Sequence, residues 1–318
     1  MRTQLLFSML LVACGPQDAA APNAPAHEDP PGDRAGYAAQ GSAIPPPQPV
    51  GCVSDVSAGK RTLACGTITA DLHVPAACIT TACGLIVDVH GLTMNGAMQE
   101  KNTELAALAG PEGYLVLQPN APGSPPFSMW QPAHDVLVYQ IMLQVMAAFS
   151  VDSKRVHFTG FSQGGQMSWR FIKSYASLLA SAAPAGFCLG KAHEPSVAIP
   201  VLHMQGNHDT MVNMLCGKPA QSTVAALTKL WGLGAPTTIA QGAGYQQLRY
   251  TGPTGEVLEV LTHDYAAKAS LLAGHCYPGS KDVDGGSPGQ LFGFGCTGAP
   301  PIHWGKLVLA FFKAHPRP

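Results

Sequence analysis

Arg155-Val156-His157-Phe158-Thr159-Gly160-Phe161-Ser162-Gln163-Gly164 is the stretch whose reading decides the fold. Its first five residues are mostly β-branched or aromatic and predict a strand. From Gln163 to about Leu179 the pattern is helical. Between the two, Gly160 to Gly164 fits G-x-S-x-G, a sharp strand-to-helix turn whose flanking positions must be small because a side chain there would strike neighbouring backbone. Such a turn lifts the Ser162 hydroxyl clear of a sheet and sets the N–H groups of a helix start beside it. Ser162 is therefore the candidate nucleophile, and the Gln163 backbone N–H is one candidate donor to an oxyanion.

Outward from this turn the chain alternates strand and helix. Leu85 to Val89 and Gly113 to Leu117 read as short apolar strands, Ala133 to Phe149 as a helix, Ile199 to Met204 as a strand and Ser222 to Trp231 as a helix. Upstream, Thr62 to Val74 reads as one early strand. Downstream, Tyr245 to Tyr250 and Val257 to Thr262 flank the turn Gly252-Pro253-Thr254-Gly255, and His303 to His315 reads as a closing helix. This order predicts an α/β fold: one mostly parallel central sheet with helices on both faces, spanning 51–318 as a single domain.

A serine hydroxyl needs an imidazole to take its proton and a carboxylate to hold that imidazole's tautomer. For a turn of this kind the partners follow in the order acid, then His. Asp209, in a loop just past the strand ending near Met204, is the leading acid, with Asp264, Asp282 and Asp284 as fallbacks. A helix-capping role is the alternative for Asp209. His275, in Gly274-His275-Cys276-Tyr277-Pro278-Gly279, is the leading base, with His303 as competitor. The second oxyanion donor is expected from the loop after Val89, at the Leu92 N–H. His90 is a candidate at the substrate site, although organising that loop is its more natural task. Trp130, beside Phe127 and Met129 in a Pro-rich loop, is a candidate for an apolar or aromatic acyl pocket, or else a packed loop aromatic.

The first 14 residues read as an export signal: Arg2, an apolar run from Leu5 to Val12, and Leu11-Val12-Ala13-Cys14, a pattern resembling a bacterial lipobox in which Cys14 would carry lipid. An ordinary signal peptide is the alternative. Residues 15–50, rich in Pro and Ala, are expected to be a flexible tether. Beyond Cys14 eight cysteines remain, an even number that suits disulfides in an exported chain. Cys52–Cys65, Cys78–Cys83 and Cys276–Cys296 are the expected pairs. With 12% charged residues and a net charge of −1 the chain has no basic footprint for nucleic acid. Membrane contact is expected only through lipid on Cys14, and a small-molecule or polymeric ester is the partner that a family resemblance implies. Neither cofactor nor metal is needed.

From roughly Cys65 to His315 the chain resembles the polyhydroxybutyrate depolymerase and feruloyl esterase families of secreted α/β-hydrolases. The resemblance rests on His90-Gly91, on Gly160 to Gly165 as G-F-S-Q-G-G, on the acid loop from Gly206 to Val212 and on Gly274 to Gly279 as G-H-C-Y-P-G. The closing run from Phe311 to Pro316 is also similar. It implies the α/β-hydrolase fold, ester hydrolysis, and the nucleophile, acid and base at Ser162, Asp209 and His275. Two features depart from the family: Thr210 follows Asp209 where Pro is common, and Leu92 stands where Cys is common. No added polymer-binding domain is visible, which counts against attack on a water-insoluble polyester. Two other readings stand beside it: a metal-dependent hydrolase with His203, His208 and Asp209 as ligands, and a non-catalytic surface lipoprotein of the same fold.

Overall fold

A computed structural model describes residues 44–318. The expected signal segment, Cys14 and most of the expected tether lie outside the described residues.

The strand before the serine turn, β5 (Val151–Phe161), sits near the middle of one ten-stranded sheet. In chain order the other strands are β1 (Gly59–Cys65), β2 (Ile68–Val74), β3 (Cys83–Val89), β4 (Tyr114–Asn120), β6 (Ser181–Ala185), β7 (Val201–Gly206), β8 (Thr237–Gly242), β9 (Tyr245–Thr251) and β10 (Val257–His263). The spatial order is β1-β2-β4-β3-β5-β6-β7-β10-β9-β8. The six strands from β4 to β10 run parallel, and antiparallel strands flank them on both sides.

The helices are α1 (Gly96–Thr103), α2 (Leu105–Ala109), α3 (His134–Ala148), α4 (Gln163–Tyr175), α5 (Thr210–Cys216), α6 (Pro219–Trp231) and α7 (Trp304–Ala314). None of these described helices is long and apolar enough to cross a membrane. The central strands are buried on both faces, which is why β3 is apolar on both sides apart from Asp88. Strand alternation sends Leu85, Val87 and Val89 to one core with Phe158, Phe171 and Leu227, against α3, α4 and α6. Ile86 and Val116 point the other way, to a core with Met98, Trp304 and Phe312 from α1 and α7.

Two expectations are corrected here. Thr62 to Val74 is two strands joined at Gly66-Thr67, because Gly66 takes φ +74° and turns the chain back on itself. The sequence also hides β6: its small residues, Ser181 to Ala185, lack β-propensity and are held as a strand only by neighbours on both sides. The three expected disulfides are formed, and Cys188–Cys216 completes the set.

Four histidines are built into this interior without charge. Burial lowers His90, His203 and His263 to about 4 and His157 to about 3. In the unfolded chain each takes its proton near 6.5, so as pH falls below 6.5 protons bind the unfolded state first and stability is lost. Asp88 works in the opposite sense: burial raises it to about 6, so the folded state takes up that proton early as pH falls. At pH 5 the imidazoles cost about 2 kcal/mol each, while Asp88 returns about 1 kcal/mol. Urea unfolding midpoints are therefore expected to fall steeply from pH 7.5 to pH 5. A flat profile over that interval would show that the imidazoles are not kept neutral.

Candidate active site

Ser162 joins β5 to α4 with φ +56° and ψ −117°, a conformation that L-residues rarely adopt. The turn is locked by its surroundings. The Ser162 N–H donates to the Ala185 carbonyl at 2.9 Å, tying it to the end of β6. A Cβ on Gly164 would stand 2.0 Å from the Val89 carbonyl oxygen, so only glycine lets the first turn of α4 pass over the end of β3.

The acid and base loops meet beside this turn. His275 Nδ1 and Asp209 Oδ2 are 2.7 Å apart, with Asp209 fully buried and His275 nearly so. Asp209 also accepts from Gln205 Nε2 at 2.9 Å through the same oxygen, while its Oδ1 accepts from the Val212 N–H. Asp209 thus caps α5 and partners the histidine at once, so the two roles weighed for it are not alternatives. Gly274 allows the approach: a Cβ there would lie 2.7 Å from the Asp209 nitrogen, and its N–H donates to the His208 carbonyl. The Cys276–Cys296 disulfide fixes the chain directly after His275. The Phe161 ring lies 4.5 Å from the His275 ring and 4.1 Å from that of Tyr277.

With Nδ1 engaged by a carboxylate, the remaining ring nitrogen of His275 is the one available to a hydroxyl. Ser162 and His275 line one open cavity of about 550 Å³, together with Gly91, Leu92 and Gln163. The other aspartates stand apart from His275. Asp264 faces Asn207 and His208, Asp282 is held by Lys101, Asn102 and Gln290, and Asp284 pairs with Lys268. His303 begins α7 and faces Glu104 at 3.5 Å.

The loop after β3 supplies the facing wall. The Met94 N–H donates to Gly91 and the Thr93 N–H to Ser128, and no described carbonyl or side chain takes the Leu92 N–H. His90 does not line the cavity, which corrects its place at the substrate site. It is fully buried, with Nδ1 on the Gly91 carbonyl at 2.7 Å and Nε2 accepting the Ala121 N–H at 3.0 Å. Those two bonds fix a neutral Nδ1–H tautomer. Trp130 is likewise absent from the cavity wall and packs behind the loop at 3% exposure. The exposed loop neighbour Phe127 does not line it either.

The wall is made instead by Phe187, Met211, Leu215, Leu272, Phe292 and Phe294, which sequence reasoning missed. They come from four separate segments: the loop after β6, α5, the loop before His275 and the loop before Cys296. Cys188–Cys216 binds the first of these to the second. Among the described residues lining the cavity, His275 is the one ionisable side chain.

The metal-ligand set His203, His208 and Asp209 is not brought together. His203 is buried with Nδ1 3.2 Å from the Pro184 carbonyl, His208 is exposed, and Asp209 is committed to His275. The described residues do cluster His263 with Cys276 and Cys296, but the two sulfurs are bonded to each other.

The sheet order and the serine turn define an α/β-hydrolase fold, and comparison with known proteins agrees. Residues 134–238 match the Phospholipase/Carboxylesterase family model, a span that includes Ser162 and Asp209 and ends before His275. A bifunctional acetylxylan esterase/xylanase of Neocallimastix patriciarum is 32% identical over 136 residues, covering 41% of this chain and 20% of that protein. Feruloyl esterase B of Piromyces equi is 26% identical over 144 residues, covering 41% of this chain and 27% of that one. The chain thus spans less than a third of the length of either curated relative. Among solved structures, an acetyl xylan esterase from Aspergillus awamori superposes with a TM-score of 0.51 at 16% identity, over 64% of this chain and 92% of that one. The Piromyces relative bears the name of one of the families that the motifs resemble.

Proposed function

We propose that this protein hydrolyses carboxylic esters by two-step acyl transfer, and that it works outside the cytoplasm. The observation that carries the reading is the 2.7 Å His275–Asp209 pair facing the cavity that holds Ser162 on its strained turn. Ser162 Oγ attacks the ester carbonyl as its proton passes to His275, and the Leu92 and Gln163 N–H groups receive the oxyanion. His275 returns the proton to the departing alcohol. A water, deprotonated by His275, then releases the acid and restores the serine. Asp209 keeps its charge throughout, holding the productive tautomer and offsetting the imidazolium.

The cavity supports a neutral, largely apolar acyl group, with the rings of Phe187, Phe292 and Phe294 suited to an aromatic one. A hydroxycinnamoyl ester, as the name of the Piromyces relative suggests, fits this lining better than a hydroxybutyrate chain, whose repeating ester oxygens would find few donors there. Four disulfides fit an oxidising compartment. Export through the N-terminal signal, with lipid on Cys14 as the membrane attachment, belongs to the same proposal. A metal-dependent hydrolase gains no support from the dispersed His203, His208 and Asp209.

An ester panel tests the substrate reading. Acetyl, butyryl, hydroxybutyrate-oligomer, feruloyl and monosuccinyl esters of one alcohol are compared by kcat/KM. Feruloyl esters are expected to exceed the monosuccinyl ester by at least about 100-fold, since an unpaired carboxylate in an apolar pocket costs several kcal/mol. A preference for the charged ester would overturn the acyl assignment.

A further inference from the structure

Trp130 does not touch the cavity, yet it bridges the two sides of the proposed oxyanion hole. Its backbone N–H donates to Gln163 Oε1 at 3.0 Å, and its indole Nε1–H donates to the His90 carbonyl at 3.0 Å. Gln163 opens α4 and carries one proposed oxyanion donor. His90 begins the loop that carries the other, at Leu92. The indole also lies 5.0 Å from the His90 ring, which is itself held by Gly91 on one nitrogen and Ala121 on the other. Every one of these polar contacts is buried.

We infer that Trp130 is a positioning residue that fixes the separation of the two oxyanion donors by bolting the His90–Leu92 loop to the start of α4. The inference rests on the ester-hydrolase reading above. The β3–β5 ladder joins the two sides as far as the Val89–Gly160 pair and stops short of the His90–Leu92 loop. Met94 and Thr93 close the loop on Gly91 and Ser128, and Ser162 is tied to β6, not to this loop. The loop could therefore shift by a fraction of an ångström without disturbing the His275–Asp209 pair. Such a shift matters because donors must lie about 2.7–3.1 Å from the oxyanion, a position the ground-state carbonyl does not yet occupy. Losing the bridge should thus weaken transition-state binding and leave substrate binding nearly intact.

The test replaces Trp130 by β-(3-benzothienyl)alanine, which keeps the bicyclic shape and deletes only the indole N–H. Trp130→Phe runs beside it as a genetically simpler variant. Each protein is titrated with a fluorophosphonate to count active sites, melted to check folding, and assayed for kcat, KM and the Ki of a boronic acid that mimics the tetrahedral adduct. The expected result for the analogue is a kcat per titrated site lower by about 10-fold or more. KM should stay within about twofold, the boronic acid Ki should rise with the loss in kcat/KM, and the melting temperature should be close to that of the parent. An unchanged kcat per site overturns the proposal. So does a loss confined to the number of titrated sites or to melting, which would show a packing role alone. A parent protein that takes no fluorophosphonate fails at an earlier point and removes the hydrolase reading itself.

Discussion

Asp209→Asn is expected to lower kcat by about 10⁴-fold while leaving the protein folded. An amide at this position still offers an oxygen to the Val212 N–H, so α5 keeps its cap, and Asn is as good a capping residue as Asp. The side-chain NH₂ then faces His275 Nδ1, which must accept in place of donating. His275 is thereby driven to carry its proton on Nε2, where it cannot act as a base towards Ser162. Gln205 can accommodate the change, because its Oε1 is buried without a partner and a flip of its amide would accept the new N–H. Asp209→Ala removes cap and orienter together and should cost about 1 kcal/mol more in unfolding free energy. Equal stability losses for the two variants would mean that the cap is not formed as described. Retention of more than about a tenth of the parent kcat by Asp209→Asn would mean that the carboxylate does not set the tautomer.

Ser162→Ala should abolish ester hydrolysis, with kcat lowered on the order of 10⁵-fold or more, because it removes the hydroxyl that the strand-to-helix turn sets in the cavity with His275. Its stability should stay close to the parent's, since alanine inherits the same φ of +56°. Ser162→Gly should be equally inactive yet more stable by about 1 kcal/mol, as glycine adopts this backbone without strain. Denaturant midpoints of the three proteins measure that difference directly. A glycine variant no more stable than the alanine variant would show that the turn stores no strain at this residue.

The parts of the site that were legible in the sequence are those with local causes. Gly160 is dictated by the Gly164 carbonyl within the turn and Gly164 by the end of the neighbouring strand β3, and their spacing between a strand and a helix marks Ser162. Asp209 and His275 follow from the order of elements and from the Gly-rich loops that let 206–209 and 274–276 approach one another. The acyl wall was not legible because Phe187, Met211, Leu272 and Phe292 are neighbours only after four segments fold together. Nothing distinguishes these side chains in sequence from core residues. Trp130 was weighed as an acyl-pocket aromatic or a packed loop aromatic, and its indole is turned inward to a carbonyl and not out to substrate. Among the strands, β8 and β6 were missed. β8 is an exposed, polar edge strand, and β6 owes its conformation to the strands on either side of it.

Covalent labelling of the folded protein by a fluorophosphonate, read by intact mass and peptide mapping, tests the central claim most directly. The account predicts a single adduct on Ser162 in the parent, none in Ser162→Ala, and labelling slowed by about 10³-fold or more in His275→Ala. A folded parent that takes no label, or a label that persists in Ser162→Ala, would contradict it.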